Sequence, residues 1–457
     1  MTPQFSASAG GAQLDQHELS AGDALAHFNN ACALMERNEL SRAQSEFERV
    51  LQLHPDHAES LARLAGLAIQ RGDASMARHF AMRSLKADPR QIAARIVLAQ
   101  ADLEEEKFQA VLDGLSSVSN TDGLTAVNLA VAQGLVADAL DGLGRTAEAF
   151  AAYTTSNETQ RNFYRPQFEA PSFETATSRV QKRVAYFRAA SAEIWRARPE
   201  NAEQTRTHVF LVGFPRSGTT LLEQVLAGHR DIESMEEREC LMEAAEEYVF
   251  PPGGLDRLAA LPEPALEAWR DAYWQQVGEA GHSAAKPVFI DKMPLNTLLL
   301  CLVAKLFPGA KILFALRDPR DVVLSCFRRR FRMNAPMYEL LTLPGAANYY
   351  DVTMQLAELY REKLGLAIFD ARYEALVTDF DREIDRLCVF LGVERDEGMQ
   401  RFAENAKRRG SATPSAPQVA RDLYTHGMEQ WRRYAAELAP VMPVLVPWVS
   451  RFGYSVQ

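Results

Sequence analysis

The chain is 457 residues long, enough for two or more domains that each bury a core. Hydrophobic residues make up 47% and charged residues 24%, an ordinary globular balance, and a net charge of -10 excludes a general nucleic-acid binder with a basic surface. Five cysteines (Cys32, Cys240, Cys301, Cys326, Cys388) lie far apart with no C-x-x-C, which excludes a disulfide framework or zinc ribbon and suits a reducing compartment.

Residues 1–20 have neither the basic start nor the apolar run of a signal peptide and are expected to form a flexible N-terminus. The longest apolar run, Leu298 to Ala304, is too short to span a bilayer, so a cytoplasmic protein without membrane contact is expected.

From residue 21 to 160 the chain matches itself at a shift of 34. Ala43, Ala77 and Val111 follow that spacing, as do Leu51 and Leu85, and Pro55 and Pro89. Asn38-Glu39 corresponds to Gly72-Asp73, each between two helical patterns. After an insertion around Ser117 to Thr125, the run from Leu140 through Gly144 to Ala149 repeats the theme. A helix–turn–helix period of this length resembles tetratricopeptide repeats, which implies a solenoid of three to four stacked units. Its concave face could hold a peptide or protein, form a homodimer contact, or only stabilise the chain, and the sequence leaves these readings open. Residues 161–204, punctuated by Pro166, Pro171 and Pro199, are expected to be a helical linker, with a catalytic domain over residues 205–457.

That domain opens on an apolar run, His208 to Val212, then Gly213-Phe-Pro-Arg216-Ser217-Gly218-Thr219-Thr220. The order strand, glycine turn, helix start builds an anion cradle from backbone N–H groups. The spacing Gly213-x-x-x-x-Gly218-x-Thr220 is that of a P-loop, but Thr219 replaces the Lys that grips a triphosphate. Arg216 offers a planar fork suited to a tetrahedral oxyanion instead. Next comes an acidic stretch around Glu236, Glu237 and Glu239. Val288 to Ile290 then reads as a short strand with Lys292 at its end and Pro294 opening a helix.

Ile312 to Leu316 reads as a strand buried on both faces. Arg317 emerges at its carboxyl end, where open α/β sheets bind ligands, and Ser325 lies two helical turns beyond Pro319. Arg317 and Ser325 together can hold a second phosphate; an Arg-Asp pair capping the helix is the plainer alternative. The run Arg328-Arg329-Arg330-Phe-Arg332 is either a solvated face or an attraction for an acidic acceptor.

The loop from Phe214 to Thr220 resembles the 5′-phosphosulfate loop of sulfotransferases, and Arg317 to Ser325 resembles that family's 3′-phosphate site. The two motifs stand in the family's order, and the resemblance covers about residue 205 to the C-terminus. It implies an α + α/β protein: a helical tetratricopeptide solenoid followed by a P-loop-like sulfotransferase domain with a parallel sheet. It also implies 3′-phosphoadenosine 5′-phosphosulfate as donor, a hydroxyl acceptor (a peptide tyrosine or a small alcohol or phenol) and no metal. Arg216, Ser217, Gly218, Thr219 and Thr220 would then hold the donor's 5′ end, and Arg317 and Ser325 its 3′-phosphate. In the tyrosylprotein branch the catalytic base is the second Glu of Gly-Glu-Glu-Thr-Arg, which falls on Glu237. Met235 and Glu239 replace that motif's Gly and its acceptor-reading Arg, so acceptor identity is not carried over. Lys292 matches the family's Lys-x-Pro, whose Lys donates to the oxygen bridging sulfur and phosphorus. Tyr373 matches a strand-end Tyr that contacts the nucleotide, and Ser415 and Arg421 match a late loop that closes over the donor. Two other functions stay open: a P-loop nucleotide kinase or triphosphatase, and a non-catalytic tetratricopeptide scaffold.

Overall fold

The structure, a computed structural model, describes residues 16–37, 39–116, 118, 124–197, 206–402 and 427–456. The chain divides into two compact units, Met1–Ala152 and Tyr153–Gln457.

The first unit is built of helices: α1 (Gln16–Glu36), α2 (Leu40–Leu53), α3 (Ala58–Gln70), α4 (Ala74–Ala87), α5 (Ile92–Glu104), α6 (Phe108–Leu115), α7 (Ala126–Gly142) and the opening turns of α8 (Thr146–Phe168). The 34-residue period has a backbone cause. The N–H groups of Glu39, Asp73 and Lys107 each donate to the carbonyl five residues back, on Leu34, Ala68 and Asp102, at 2.9, 3.0 and 2.7 Å. Arg145 closes the last turn the same way on Leu140. Such a turn needs a left-handed residue just before the donor, supplied by Gly72 (φ 76), Glu106 (φ 58) and Gly144 (φ 75). Ala43, Ala77 and Val111 are all fully buried, so the matched small positions are where helices cross. Alanine-rich clusters such as Ala62, Ala65, Ala77, Ala81 and Ala94 continue the core from pair to pair. No pair could bury its apolar stripe alone.

The second unit is an α/β domain. Five parallel strands, β1 (Thr207–Gly213), β2 (Ile232–Glu236), β3 (Val288–Lys292), β4 (Lys311–Leu316) and β5 (Ala367–Arg372), lie in the order β2-β3-β1-β4-β5. The chain builds β2 and β3 on one side of β1, then crosses to add β4 and β5 on the other. Loops after β1 and β4 therefore flank a switch point, where such sheets open a crevice. β1 is buried over His208–Gly213, as a central strand must be. At Gly213 a Cβ would sit 2.8 Å from the carbonyl oxygen of Ala315, so only glycine lets β1 and β4 approach this closely.

The stretch expected as a linker carries α9 (Ala176–Ala189), which is part of the second unit's core. Val180, Val184 and Phe187 are buried, the last with its ring 4.9 Å from Tyr360 and 4.9 Å from Trp195. Arg183 donates to the Leu298 carbonyl at 3.0 Å. Among the described residues no helix is long and apolar enough to cross a membrane.

Candidate active site

The loop after β1 forms as its residues dictate. Gly218, at φ 96, caps helix α10 (Thr219–Ala227), and a Cβ there would lie 2.8 Å from the Tyr373 ring. Arg216 is left-handed too, at φ 71, a conformation that costs a non-glycine residue roughly 1–3 kcal/mol and has to be held by its surroundings. Ser217, Thr219 and Thr220 are buried. The loop is fastened from outside: the Thr297 hydroxyl donates to the Gly213 carbonyl at 2.9 Å, and the Cys326 thiol donates to that of Pro215 at 3.2 Å.

Helix α11 (Pro319–Arg328) follows β4 and brings Ser325 to the loop, where the Arg216 Nε donates to its hydroxyl at 3.0 Å. Arg317 donates to the Arg216 carbonyl at 3.1 Å and also to the Gly427 carbonyl, and its guanidinium lies 4.9 Å from the centre of the Tyr373 ring. Arg216, Arg317, Ser325 and Tyr373 thus form one cluster. Burial pushes the Arg216 guanidinium down to about 9, and the charges of Arg329 and Arg317 push the same way. A bound anion would relieve that repulsion. The plainer alternative also has its counterpart: Asp318 caps α11, accepts from the Arg320 N–H at 2.9 Å and pairs with the Arg320 guanidinium, not with Arg317.

Lys292 ends β3 with no exposed side-chain surface. Its ammonium meets three carboxylates: Glu237 at 2.9 Å, Glu236 at 3.3 Å and Glu223 at 3.4 Å. Glu236 is its register partner across β2 and β3, and the Glu237 N–H continues that ladder to the Lys292 carbonyl at 2.8 Å. Glu237 then turns left-handed, at φ 45, beyond the end of the strand. Both expected catalytic residues, Glu237 and Lys292, are therefore in contact. Ser415 and Arg421 lie outside the described residues.

Two buried acids were not singled out in the sequence. Glu223, 2% exposed, stands on α10 one turn beyond Thr219 and Thr220 and accepts from the Ser234 hydroxyl at 3.1 Å. Its signal was a lone acid in the apolar run Leu221 to Leu226. Asp291 follows the apolar run Val288–Ile290 within β3, beside β1, near the position of a magnesium-binding acid in a nucleoside triphosphatase. It is fully buried and accepts from the Tyr273 hydroxyl at 2.9 Å, in a chain that continues 3.0 Å to His208. Those contacts run to the helix Glu263–Glu279 and away from the Lys292 ammonium.

A model of the sulfotransferase family matches residues 208–397, and a tetratricopeptide-repeat model matches residues 34–101. The chain therefore carries a segment similar to the sulfotransferase family behind a segment similar to tetratricopeptide repeats. An uncharacterized protein of Aquifex aeolicus is 22% identical over 421 residues, covering 90% of this chain and 53% of the relative. Protein-tyrosine sulfotransferase 1 of Danio rerio is 22% identical over 259 residues, 54% of this chain and 72% of that protein. The mouse enzyme of that name is 30% identical over 127 residues, 27% of this chain and 34% of the relative. The chain thus spans about half the length of the first relative. Among solved structures, a sulfotransferase domain from the curacin biosynthetic pathway matches with a TM-score of 0.37 at 20% identity, over 56% of this chain and all of that one.

Proposed function

We propose that the second unit moves a sulfuryl group from 3′-phosphoadenosine 5′-phosphosulfate to a hydroxyl acceptor. The observation that carries this reading is the buried Lys292 ammonium held against Glu237 at the strand ends beside the phosphate loop. Residues 216–220 hold the donor's 5′ end through loop N–H groups and the Arg216 fork, while Arg317 and Ser325 hold the 3′-phosphate and Tyr373 packs on the nucleotide. The Arg216–Ser325 bond joins the two anion positions, so Arg216 can serve either. Glu237 takes the acceptor's hydroxyl proton as the new O–S bond forms. The bond from sulfur to the 5′-phosphate oxygen breaks in line, and Lys292 donates to that leaving oxygen. The products are a sulfate ester and 3′,5′-adenosine bisphosphate.

A peptide tyrosine is the first acceptor to test, because several relatives bear the name protein-tyrosine sulfotransferase. The repeat array is the candidate holder of that peptide. A cytoplasmic setting suits the five free cysteines. The deciding experiment is calorimetric titration with 3′,5′-adenosine bisphosphate against 5′-adenylate, followed by labelled-sulfate transfer to a tyrosine peptide and to simple phenols. Binding of the bisphosphate with transfer supports the reading. Failure of both, with magnesium-dependent ATP hydrolysis instead, would establish the kinase or triphosphatase alternative.

A further inference from the structure

Glu223 has no place in the mechanism above, yet it is the least exposed of the three acids on Lys292. A buried carboxylate is costly unless something charged or hydrogen-bonding faces it. Here Ser234 from β2 donates to Oε1, and the Lys292 ammonium lies 3.4 Å from Oε2. Burial raises the Glu223 pKa to about 7, with Lys292 pulling the other way and Glu236 adding to the rise. Glu223 sits on the helix that starts at the phosphate loop, so it links that loop to the lysine at the end of β3.

The exposures separate the roles. The Glu237 side chain is 39% exposed and Glu236 24%, against 2% for Glu223 and 0% for Lys292. Glu237 can turn toward an acceptor in solvent, while Glu223 is walled in and hydrogen-bonded. A base that meets a hydroxyl has to loosen its own ion pair, and the ammonium it leaves needs another counter-ion in so dry a place.

We infer that Glu223 is a positioning residue: it keeps the Lys292 ammonium in place while Glu237 leaves it to take the acceptor's proton. This rests on the sulfuryl-transfer reading above. Without Glu223, the ammonium leans on Glu236 and Glu237, which tightens the pair that must open.

The test is a double-mutant cycle of Glu223→Ala and Glu237→Gln. Transfer from 3′-phosphoadenosine 5′-phosphosulfate is followed to p-cresol and to p-nitrophenol, the second largely ionised at mildly alkaline pH. Expected for Glu223→Ala is a fall in kcat of roughly 10–100-fold with p-cresol and a clearly smaller fall with p-nitrophenol, whose proton is already gone. Donor KM should stay within about 3-fold, and in the Glu237→Gln background Glu223→Ala should cost less than about 3-fold more, because residues acting through one another are not additive. Glu223→Gln, which keeps a hydrogen-bond acceptor, should restore part of the rate, and it replaces Ala throughout if Glu223→Ala does not fold. An additive cycle, equal penalties on both phenols, or a rate loss matched by lost bisphosphate binding overturns the role of Glu223 alone. A wild-type protein that binds no 3′,5′-adenosine bisphosphate and transfers to neither phenol nor a tyrosine peptide overturns the sulfuryl-transfer reading and this inference with it.

Discussion

Glu237 and Lys292 lie 55 positions apart in sequence and 2.9 Å apart in the fold, and their proposed roles separate by acceptor. Glu237→Gln keeps shape and hydrogen bonding but cannot take a proton, so transfer to an aliphatic alcohol should fall about 10²–10⁴-fold, with donor affinity near normal. Lys292→Ala should slow every acceptor alike, since the leaving phosphate is the same. A Glu237→Gln protein fully active on an alcohol would move the search for the base to Glu236 or Glu239. In calorimetry, Arg317→Ala with Ser325→Ala should weaken 3′,5′-adenosine bisphosphate and spare 5′-adenylate, each lost charge-assisted bond costing about 1.5–3 kcal/mol. Equal losses would remove the separate 3′ site. Asp291 gives a prediction that needs no substrate. Burial raises its folded pKa to about 7 from 3.8, so the folded state keeps the proton longer than the unfolded chain. Its contribution to stability is full below the unfolded value and is lost as pH rises toward the folded one. Denaturation between about pH 5 and pH 7 should show wild type losing up to ~1.4 kcal/mol per pH unit at this group, a slope that Asp291→Asn removes.

At the scale of elements, the repeat rests on a turn more than on side chains. Gly72 and Glu106 stand 34 positions apart, both left-handed, yet only one is a glycine. Glu106→Gly should stabilise the first unit by about 0.5–1 kcal/mol and Gly72→Ala should destabilise it by about 1 kcal/mol, because a left-handed backbone penalises any Cβ. Urea unfolding of the two variants checks both signs; equal behaviour would show that the turns carry no strain. In the sheet the corresponding device is strand order. Because β3 and β4 flank β1, the lysine, the loop and Arg317 reach one edge from three separate stretches of sequence.

At the scale of the whole chain, the stretch read from sequence as a linker carries helix α9, which packs within the second unit. A shortened protein of residues 205–457 lacks α9, and so loses the buried Phe187 contacts with Tyr360 and Trp195 and the Arg183 bond to Leu298. Asn157, which donates to the Phe327 carbonyl at 2.8 Å, goes too. It should melt well below a protein of residues 145–457, which should bind 3′,5′-adenosine bisphosphate like the full chain. Equal melting would show the stretch before residue 205 to be a true linker. The prolines at 166 and 171 invited the linker reading, since they break periodicity; burial of Val180, Val184 and Phe187 decides otherwise, and burial cannot be seen in a polar-looking helix sequence.

By itself the sequence determined the period of 34, the strand–loop–helix order around Gly213 and Gly218, and the strand-end places of Lys292 and Arg317. Each is local, set by glycine conformation, apolar runs and spacing along one segment. Only the tertiary structure decided that three carboxylates share one ammonium, that Arg216 reaches Ser325, and that Asp291 faces Tyr273 instead of the site. Those pairings join segments distant in the chain, and their energies depend on burial, which arises only when the sheet and its helices pack together.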